Sequence, residues 1–471
     1  MIEELPTKND SGWKIAASRA NDNRRTSLVE FPMSMPFHVP ALSVAPGKRF
    51  IPHYSSGELE ERQLEGVRWT LAHALAGSPQ YRAKLGDARP EDIRTLDDVR
   101  KLPFTTTEDL RAGYPLPLLS VPETDVLRVH ASSGTTGKRK VLAYTRNDID
   151  TFAFQMARCY ELAGLTPEDR MQVAVGYGLW TAGAGFQLGC EKFGALTIPV
   201  GPGNLDIHLQ LLQDFGATCI GCTASMALLM GEEVERHGLL KNLKLKRAIF
   251  GAEASSAKMR AAISEKLGLE HCFDIGGMTE MYGPGTAIDC EAHEGLHYWA
   301  DLFYMEIIDP ETLEPVKPGE TGEMVVTSLR KEAAPLIRYR TRDLSRFIPG
   351  ECSCGCTMPR HDRLLGRSDD MIIFRGVNVY PGQICDVIQH YPELGGEYHI
   401  ELTREGARDF MLLKLERSAD VSADGDDALA GRFADELHKA LLARAAVEIV
   451  DPGKLPRSFG KSKRVTDLRL D

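Results

Sequence analysis

Between Asn147 and Pro335 helical segments alternate with short apolar runs, and this alternation constrains the fold more than any other feature. Met171–Val175, Ala195–Val200, Ala217–Cys222 and Arg247–Phe250 read as strands. Strands alternating with helices imply an α/β fold with a parallel sheet. Met305–Ile308 and Glu323–Thr327 read as later strands of a β-rich part. Upstream, Leu59, Leu64, Val67, Leu71 and Leu75 recur at helical spacing from Glu58 onward. Residues 1–50 differ: a polar, charged stretch precedes Pro32, Pro36, Pro40 and Pro46, which predicts a loosely ordered lead. The pattern changes again at Gly366–Asp370. Beyond it come a helix at Gly382–Tyr391, strands at His399–Leu402 and Phe410–Leu415, and a helix at Leu429–Ala446. The division expected is therefore a lead over 1–50, a large domain over 51–368 and a small α+β domain over 369–471.

One short string carries the chemistry. Ala131 to Lys140 reads A-S-S-G-T-T-G-K-R-K, with four hydroxyl residues, two glycines and three cations in ten positions. Glycines let backbone N–H groups approach an anion, hydroxyls add donors and cations neutralise charge. Ser132, Ser133, Gly134, Thr135, Thr136, Gly137 and Lys138 are thus candidate polyphosphate ligands. Apolar runs on both sides, Val126–His130 and Val141–Tyr144, place the loop on a hairpin. It is not a Walker loop: Ser132 stands where the first glycine is needed, and Arg139 follows the lysine in place of Ser or Thr.

The loop resembles the phosphate loop of the adenylate-forming superfamily of acyl-CoA synthetases, luciferases and adenylation domains, and most of all its phenylacetate–CoA ligase branch. The resemblance runs from Ser55 to the C-terminus. It is carried by L-P-F-T-T from Leu102, the phosphate loop, F-G-A-E from Phe250, M-T-E from Met278, Y-R-T-R-D from Tyr339, G-R-S-D-D-M from Gly366, R-G-V-N-V-Y-P from Arg375 and L-P-R-S-F-G-K from Leu455. It implies a large N-terminal domain with parallel sheets and a β-rich part, and a small mobile C-terminal domain.

The same resemblance assigns roles. Glu280 would hold Mg²⁺, with Thr279 beside it on phosphate. Gly251, Ala252, Glu253 and Asp274 would flank adenine. Asp343 would take both ribose hydroxyls, a carboxylate being able to accept two hydrogen bonds, with Arg367 reaching the same sugar. The other reading of Asp343 is an ion pair among Arg338, Arg340 and Arg342. Lys461 would bridge the acyl carboxylate and the α-phosphate. Asp369 falls at the hinge, and Arg375, Gly376 and Val377 lie on the loop that would admit the pantetheine arm. Tyr177, Gly178, Leu179, Trp180, Gly183, Gly276, Gly277 and Met278 would line the acyl pocket. Gly276 departs from the family, which usually has Tyr there; the missing ring favours an acid bulkier than phenylacetate.

Ten cysteines with no secretory signal suggest free thiols or metal rather than disulfides. Some relatives carry a C-x6-H plus C-x-C-G pattern, and Cys290, His297, Cys352 and Cys354 fit it as a structural Zn²⁺ set. Cys356 is a spare ligand, and reduced, unligated thiols are the other reading. Cys219 and Cys222 sit in an apolar run and read as core.

A net charge of −11 argues against nucleic acid or an anionic membrane as partner. There is no apolar stretch long enough to span a bilayer and no signal-like start, which predicts a cytoplasmic protein. The implied activity is ATP-dependent conversion of an aryl acid to an acyl-AMP, then to a coenzyme A thioester. The alternatives are transfer to a carrier-protein thiol or an amine, and a nucleotide-binding relative without turnover. A homodimer is common in the branch.

Overall fold

The computed structural model describes residues 43–132, 139–253, 255, 257–368, 372–375, 377–379, 381–405, 408–441, 444–455 and 464–469. The lead is described only from Ser43. There Glu161 accepts the amides of Arg49, Phe50 and Ile51 at 2.7, 2.7 and 2.9 Å. The first helix runs Ser56–Gly77. Ser55 and Glu58 exchange side-chain and backbone hydrogen bonds at its start, satisfying amides that a helix end leaves open. Its Val67, Leu71 and Ala74 are buried.

Nine strands among the described residues form the main sheet, in the order Phe347–Ile348, Arg360–His361, Leu296–Tyr298, Gly283–Asp289, His271–Met278, Arg247–Phe250, Cys219–Cys222, Arg170–Val173 and Leu196–Pro199. The last five pair in parallel, as the helix–strand alternation requires, with helices between them in sequence. Cys219–Cys222 is buried at every position, so its two thiols pack as small apolar groups. After Met278 the chain reverses and the sheet becomes antiparallel. The crossover passes Gly277, at φ +155°, where a Cβ would lie 2.2 Å from the Gly283 carbonyl oxygen. Only glycine permits that approach.

A second, antiparallel sheet contains Phe303–Ile308, Gly322–Ser328, Tyr339–Ser345 and Gly366–Arg367. Its last pairing sets Asp343 opposite Arg367. The phosphate string sits on the expected hairpin: Arg128–Ala131 pairs antiparallel with Val141–Tyr144, and the Ser132 amide donates to the Lys140 carbonyl at 3.0 Å to close its neck.

Residues 372–465 hold a separate apolar core. A four-stranded sheet, ordered Ala446–Val450, Arg408–Arg417, Leu394–Glu405 and Val465–Asp467, packs with helices Pro381–Ile388 and Asp426–Leu441. The second helix is described to Leu441, and residues 444–445 are no longer helical, so it stops short of the Ala446 expected from sequence. The buried stripe Leu429, Phe433, Leu437, Leu441 stops there, and Ala446–Val450 is a strand paired with Arg408–Arg417. Among the described residues no helix is long and apolar enough to cross a membrane.

Candidate active site

Strand His271–Met278 ends in a single turn, Thr279–Met281, which carries Thr279 and Glu280. The phosphate hairpin clamps this turn, the Tyr144 hydroxyl donating to the Thr279 carbonyl at 2.6 Å. Glu280 is 2% exposed and is paired with Lys140, while the Tyr339 hydroxyl donates to it at 3.0 Å. Thr107 Oγ1 and Lys140 Nζ lie 3.4 and 3.5 Å from the same hydroxyl. Burial pushes the Glu280 carboxyl up, but the Lys140 cation and the hydrogen bonds outweigh it and hold the group below the usual range. An ionised carboxylate is thus kept inside the protein, facing the base of the phosphate loop.

Lys140 and Tyr339 were not singled out from sequence. Lys140 closes the ten-residue string and Tyr339 opens Y-R-T-R-D, so both stood in the motifs without an assigned role. Lys331 was missed altogether. It is fully buried, its ammonium 4.1 Å from the Tyr144 ring centroid and 4.9 Å from that of Tyr282. Among the described residues it makes no hydrogen bond. Burial lowers its pKa to about 8, against the opposing pull of Asp148 and Glu280.

Asp343 pairs with Arg367 at 2.9 Å across the small sheet. The three arginines before it are engaged elsewhere: Arg338 with Glu306 at 3.0 Å, Arg340 with Glu323 at 2.7 Å and Arg342 with Glu323 at 3.6 Å. Among the described residues the carboxylates facing these arginines are therefore Glu306 for Arg338 and Glu323 for Arg340 and Arg342, while Asp343 faces Arg367.

Gly251, Ala252 and Glu253 follow the parallel strand Arg247–Phe250, next to Asp274 in register with Phe250. Ala252 has φ +72°, and Glu253 accepts from the Ser225 amide at 2.5 Å. Asp274 lies 2.7 Å from Arg363 and 3.2 Å from Arg260, with the Ser255 hydroxyl at 3.2 Å. Burial raises its pKa, and the two arginines oppose the rise.

The acyl segment is bonded directly to the phosphate hairpin: the Ala131 amide donates to the Leu179 carbonyl at 2.7 Å, and His130 Nδ1 stands 3.2 Å from the same oxygen. Gly178 turns the chain at φ +83°, and Trp180 immediately precedes the helix Thr181–Phe193. Gly183 makes room for the Tyr177 ring, since a Cβ there would sit 2.6 Å from Tyr177 Cδ2. Burial pushes the Tyr177 hydroxyl up to about 12, and it has no hydrogen-bond partner among the described residues. Met278 is partly buried against the core. A Cβ on Gly276 would meet Ala287 Cβ and Leu296 Cδ2 at 3.6 Å, ordinary contact distances.

Away from this centre, one ligand atom from each of Cys290, His297, Cys352 and Cys354 falls within 4.8 Å of the others. Cys290 Sγ and Cys352 Sγ are 3.6 Å apart, and Cys354 Sγ is 3.3 Å from His297 Nε2. His297 Nδ1 is 2.8 Å from the Met358 carbonyl, which leaves Nε2 for the cluster. Cys356 is not in the set.

Several candidates are not brought into view. Ser133, Gly134, Thr135, Thr136, Gly137, Lys138, Asp369, Gly376 and Lys461 lie outside the described residues. Val377 begins the strand Val377–Val379. Arg375 turns the preceding hairpin with φ +51°, its Nε donating to the Asp409 carbonyl at 2.8 Å.

Known proteins match this geometry over most of the chain. Residues 67–329 match the AMP-binding enzyme family, and residues 376–469 the AMP-binding enzyme C-terminal domain. Phenylacetate-coenzyme A ligase of Escherichia coli (strain K12) is 42% identical over 423 residues, covering 88% of this chain and 96% of that protein. Crystal structures of 2-hydroxyisobutyryl-CoA ligase provide a comparison in two states. Its postadenylation state with 2-HIB-AMP superimposes with a TM-score of 0.82 at 27% identity, covering 91% of this chain and 94% of that one. Its thioesterification state with 2-HIB-AMP and CoA gives 0.65 at 28% identity, covering 90% and 94%.

Proposed function

On the premise that the chain belongs to the AMP-binding enzyme family, in its phenylacetate–CoA ligase branch, we propose that it activates an aryl carboxylic acid and transfers the acyl group to coenzyme A. In the first step the acid's carboxylate attacks the α-phosphorus of ATP. The bond to the β-phosphate oxygen breaks, giving acyl-AMP and pyrophosphate. In the second the coenzyme A thiolate attacks the acyl carbon, and AMP leaves with the electron pair of the acyl–oxygen bond.

The observation that carries this reading is the buried Glu280 held ionised beside Lys140 at the neck of the phosphate hairpin. A carboxylate kept charged there suits a hard cation shared with substrate phosphates. When bound, Mg²⁺ would neutralise phosphate charge as pyrophosphate departs. Lys140, now on Glu280, is placed to move to a phosphate. Tyr144 and Tyr339 fix the turn and the carboxylate, so that neither must reorganise during the reaction. Asp343, braced by Arg367, would accept the ribose hydroxyls. The loop Ser133–Lys138 would hold the outer phosphates, and Lys461 would bring carboxylate and α-phosphate together.

The acid would lie along Tyr177, Trp180 and the glycine-lined turn. A ring-substituted or bulkier aryl acid is favoured over phenylacetate because residue 276 lacks a side chain. Between the half-reactions the small domain would rotate about Asp369. The superposition scores favour reading the present arrangement as the adenylation side of that cycle.

The Cys290, His297, Cys352 and Cys354 set fits Zn²⁺. A tetrahedral site with Zn–S near 2.3 Å requires sulfurs about 3.8 Å apart, and the observed Cys290–Cys352 separation is 3.6 Å. The Met358 carbonyl on His297 Nδ1 is the outer contact that orients such a ligand. The role is structural, tying Cys352 and Cys354 to the strand end at Cys290.

The test is turnover with a panel of aryl acids, ATP and either coenzyme A or an acyl carrier protein. The reading predicts AMP and thioester in equal amounts with coenzyme A. Thioester formed on carrier protein alone would reassign the acceptor, and an enzyme that binds ATP but releases no pyrophosphate with any acid would overturn the proposal.

A further inference from the structure

Lys331 is a buried charge that the proposed reaction leaves unused. Its side chain is fully enclosed, and among the described residues its ammonium makes no hydrogen bond. A buried cation without one costs stability. The chain nevertheless fixes it in place. Asp148 accepts the amides of the next two residues, Glu332 and Ala333, at 2.8 and 2.9 Å. The Glu332 carboxylate accepts from Thr145 Oγ1 at 2.7 Å and from Asn147 Nδ2 at 2.9 Å. The backbone beside Lys331 is thereby pinned to the start of helix Arg146–Leu162, and its side chain is directed inward.

Inside, the ammonium lies 4.1 Å from the Tyr144 ring centroid and 4.9 Å from that of Tyr282. Both rings belong to the support of Glu280. The Tyr144 hydroxyl donates to the Thr279 carbonyl at 2.6 Å and lies 3.4 Å from the Tyr282 carbonyl, so it spans the turn Thr279–Met281 from one side to the other. Tyr282 ends that turn at φ +74°, a left-handed backbone that a bulky residue keeps only where its surroundings hold it. A cation on the face of a phenol draws density from the ring and makes its O–H a stronger donor, and the attraction is greatest where water is excluded. We infer that Lys331 is a positioning residue of the adenylation centre: packed on Tyr144 and Tyr282, its ammonium acts through the Tyr144 hydroxyl to hold the Thr279–Met281 turn, and so keeps Glu280 in place when Lys140 leaves it for a phosphate. The inference rests on the Glu280 reading and adds a residue that touches neither substrate nor the reacting atoms. It also accounts for a destabilising cation, which serves the turn although it weakens the fold.

The test is a double-variant cycle of Lys331→Met, Tyr144→Phe and the pair, read by ATP–pyrophosphate exchange. Lys331→Met should lower kcat roughly ten-fold or more, the scale of a desolvated cation–aromatic contact. KM for the acid should stay within about two-fold, because the contacts to the acid are not altered. Tm at pH 7 should stand above that of the wild type, which separates lost positioning from lost folding. Tyr144→Phe keeps the ring and removes the hydroxyl, so the pair should be no more than about two-fold slower than Tyr144→Phe alone. Lys331→Met at wild-type kcat would overturn the inference. So would a loss of kcat accompanied by a lowered Tm, or losses that multiply in the pair. A wild type that shows no exchange with any acid would instead fail the Glu280 reading itself, and the inference with it.

Discussion

Lys258 offers a way to tilt the two half-reactions against each other. It stands at the start of helix Ala257–Leu267 in the large domain, yet among the described residues its ammonium bonds to the small one. Ser418 Oγ accepts from it at 2.7 Å, the Pro392 carbonyl accepts closely, and the Tyr391 carbonyl lies at 3.5 Å. Three N–H donors thus face three acceptors on the body proposed above to rotate before thiol attack. Burial lowers the lysine's pKa, with Asp420 and Glu393 opposing. A hydrogen bond from a charged group contributes about 1.5–3 kcal/mol when well buried. This site is only partly buried and one bond is long, so the whole contact contributes about 1–2 kcal/mol. That corresponds to a shift of roughly 5- to 30-fold in the balance of domain orientations. Lys258→Met keeps the stem and removes the donors. If the present orientation is the adenylating one, as proposed, ATP–pyrophosphate exchange should slow within that range, while thioester formation from supplied acyl-AMP should hold or quicken. Exchange within roughly two-fold of wild type, the margin expected for an uncoupled site, would refute the latch. Equal loss in both half-reactions would point to damaged folding instead.

Four further outcomes are expected. Lys461→Ala should cut acyl-AMP formation by about two or more orders of magnitude and spare thioesterification of supplied acyl-AMP; parallel loss would remove its assigned role. Purified enzyme should contain zinc at one ion per Cys290–His297–Cys352–Cys354 set, and Cys352→Ser/Cys354→Ser should lower Tm more than it lowers turnover; metal analysis finding none, in protein never exposed to chelator, would end that assignment. Gly276→Tyr should depress activity on bulky aryl acids and spare phenylacetate, whereas an unchanged ranking of acids would place residue 276 outside the pocket. Lys331→Met should raise stability at pH 7, because the folded state must otherwise hold a proton on an amine whose pKa has fallen from 10.5 to about 8. The unfolded chain binds that proton more tightly between those values, so wild-type stability gains with pH across the window and the mutant's advantage fades above about pH 10; a constant difference at all pH values would contradict the buried-amine account.

What was legible in the sequence follows from which forces are local. The parallel half of the sheet could be read because its strands are short apolar runs between periodic helices, a pattern set by burial alone. The phosphate hairpin could be read because its glycines and hydroxyls are adjacent. The helix's stop short of Ala446 could not, since Ala446–Val450 is a strand only through its pairing with Arg408–Arg417. The same division holds in the site. Glu280, Asp343 and the Cys290–His297–Cys352–Cys354 cluster stand in compact motifs that single them out as candidates. Tyr144 reaches the Thr279–Glu280 turn across 135 residues of chain and Tyr339 across 59, with Lys140 paired to the same Glu280, and spacing carries no trace of that. Lys331 was invisible for another reason: a lysine between Arg330 and Glu332 reads as solvated surface, and only the packing of two tyrosines over it reveals a buried cation.

The central claim is that the acid's own oxygen attacks the α-phosphorus of ATP at the Glu280 centre. It is tested most directly by supplying an aryl acid with both carboxylate oxygens labelled with ¹⁸O, running turnover with ATP and coenzyme A, and weighing the nucleotide products. The account predicts AMP carrying one labelled oxygen, with unlabelled pyrophosphate. Label in inorganic phosphate with ADP as the nucleotide product, or AMP without label, would contradict it.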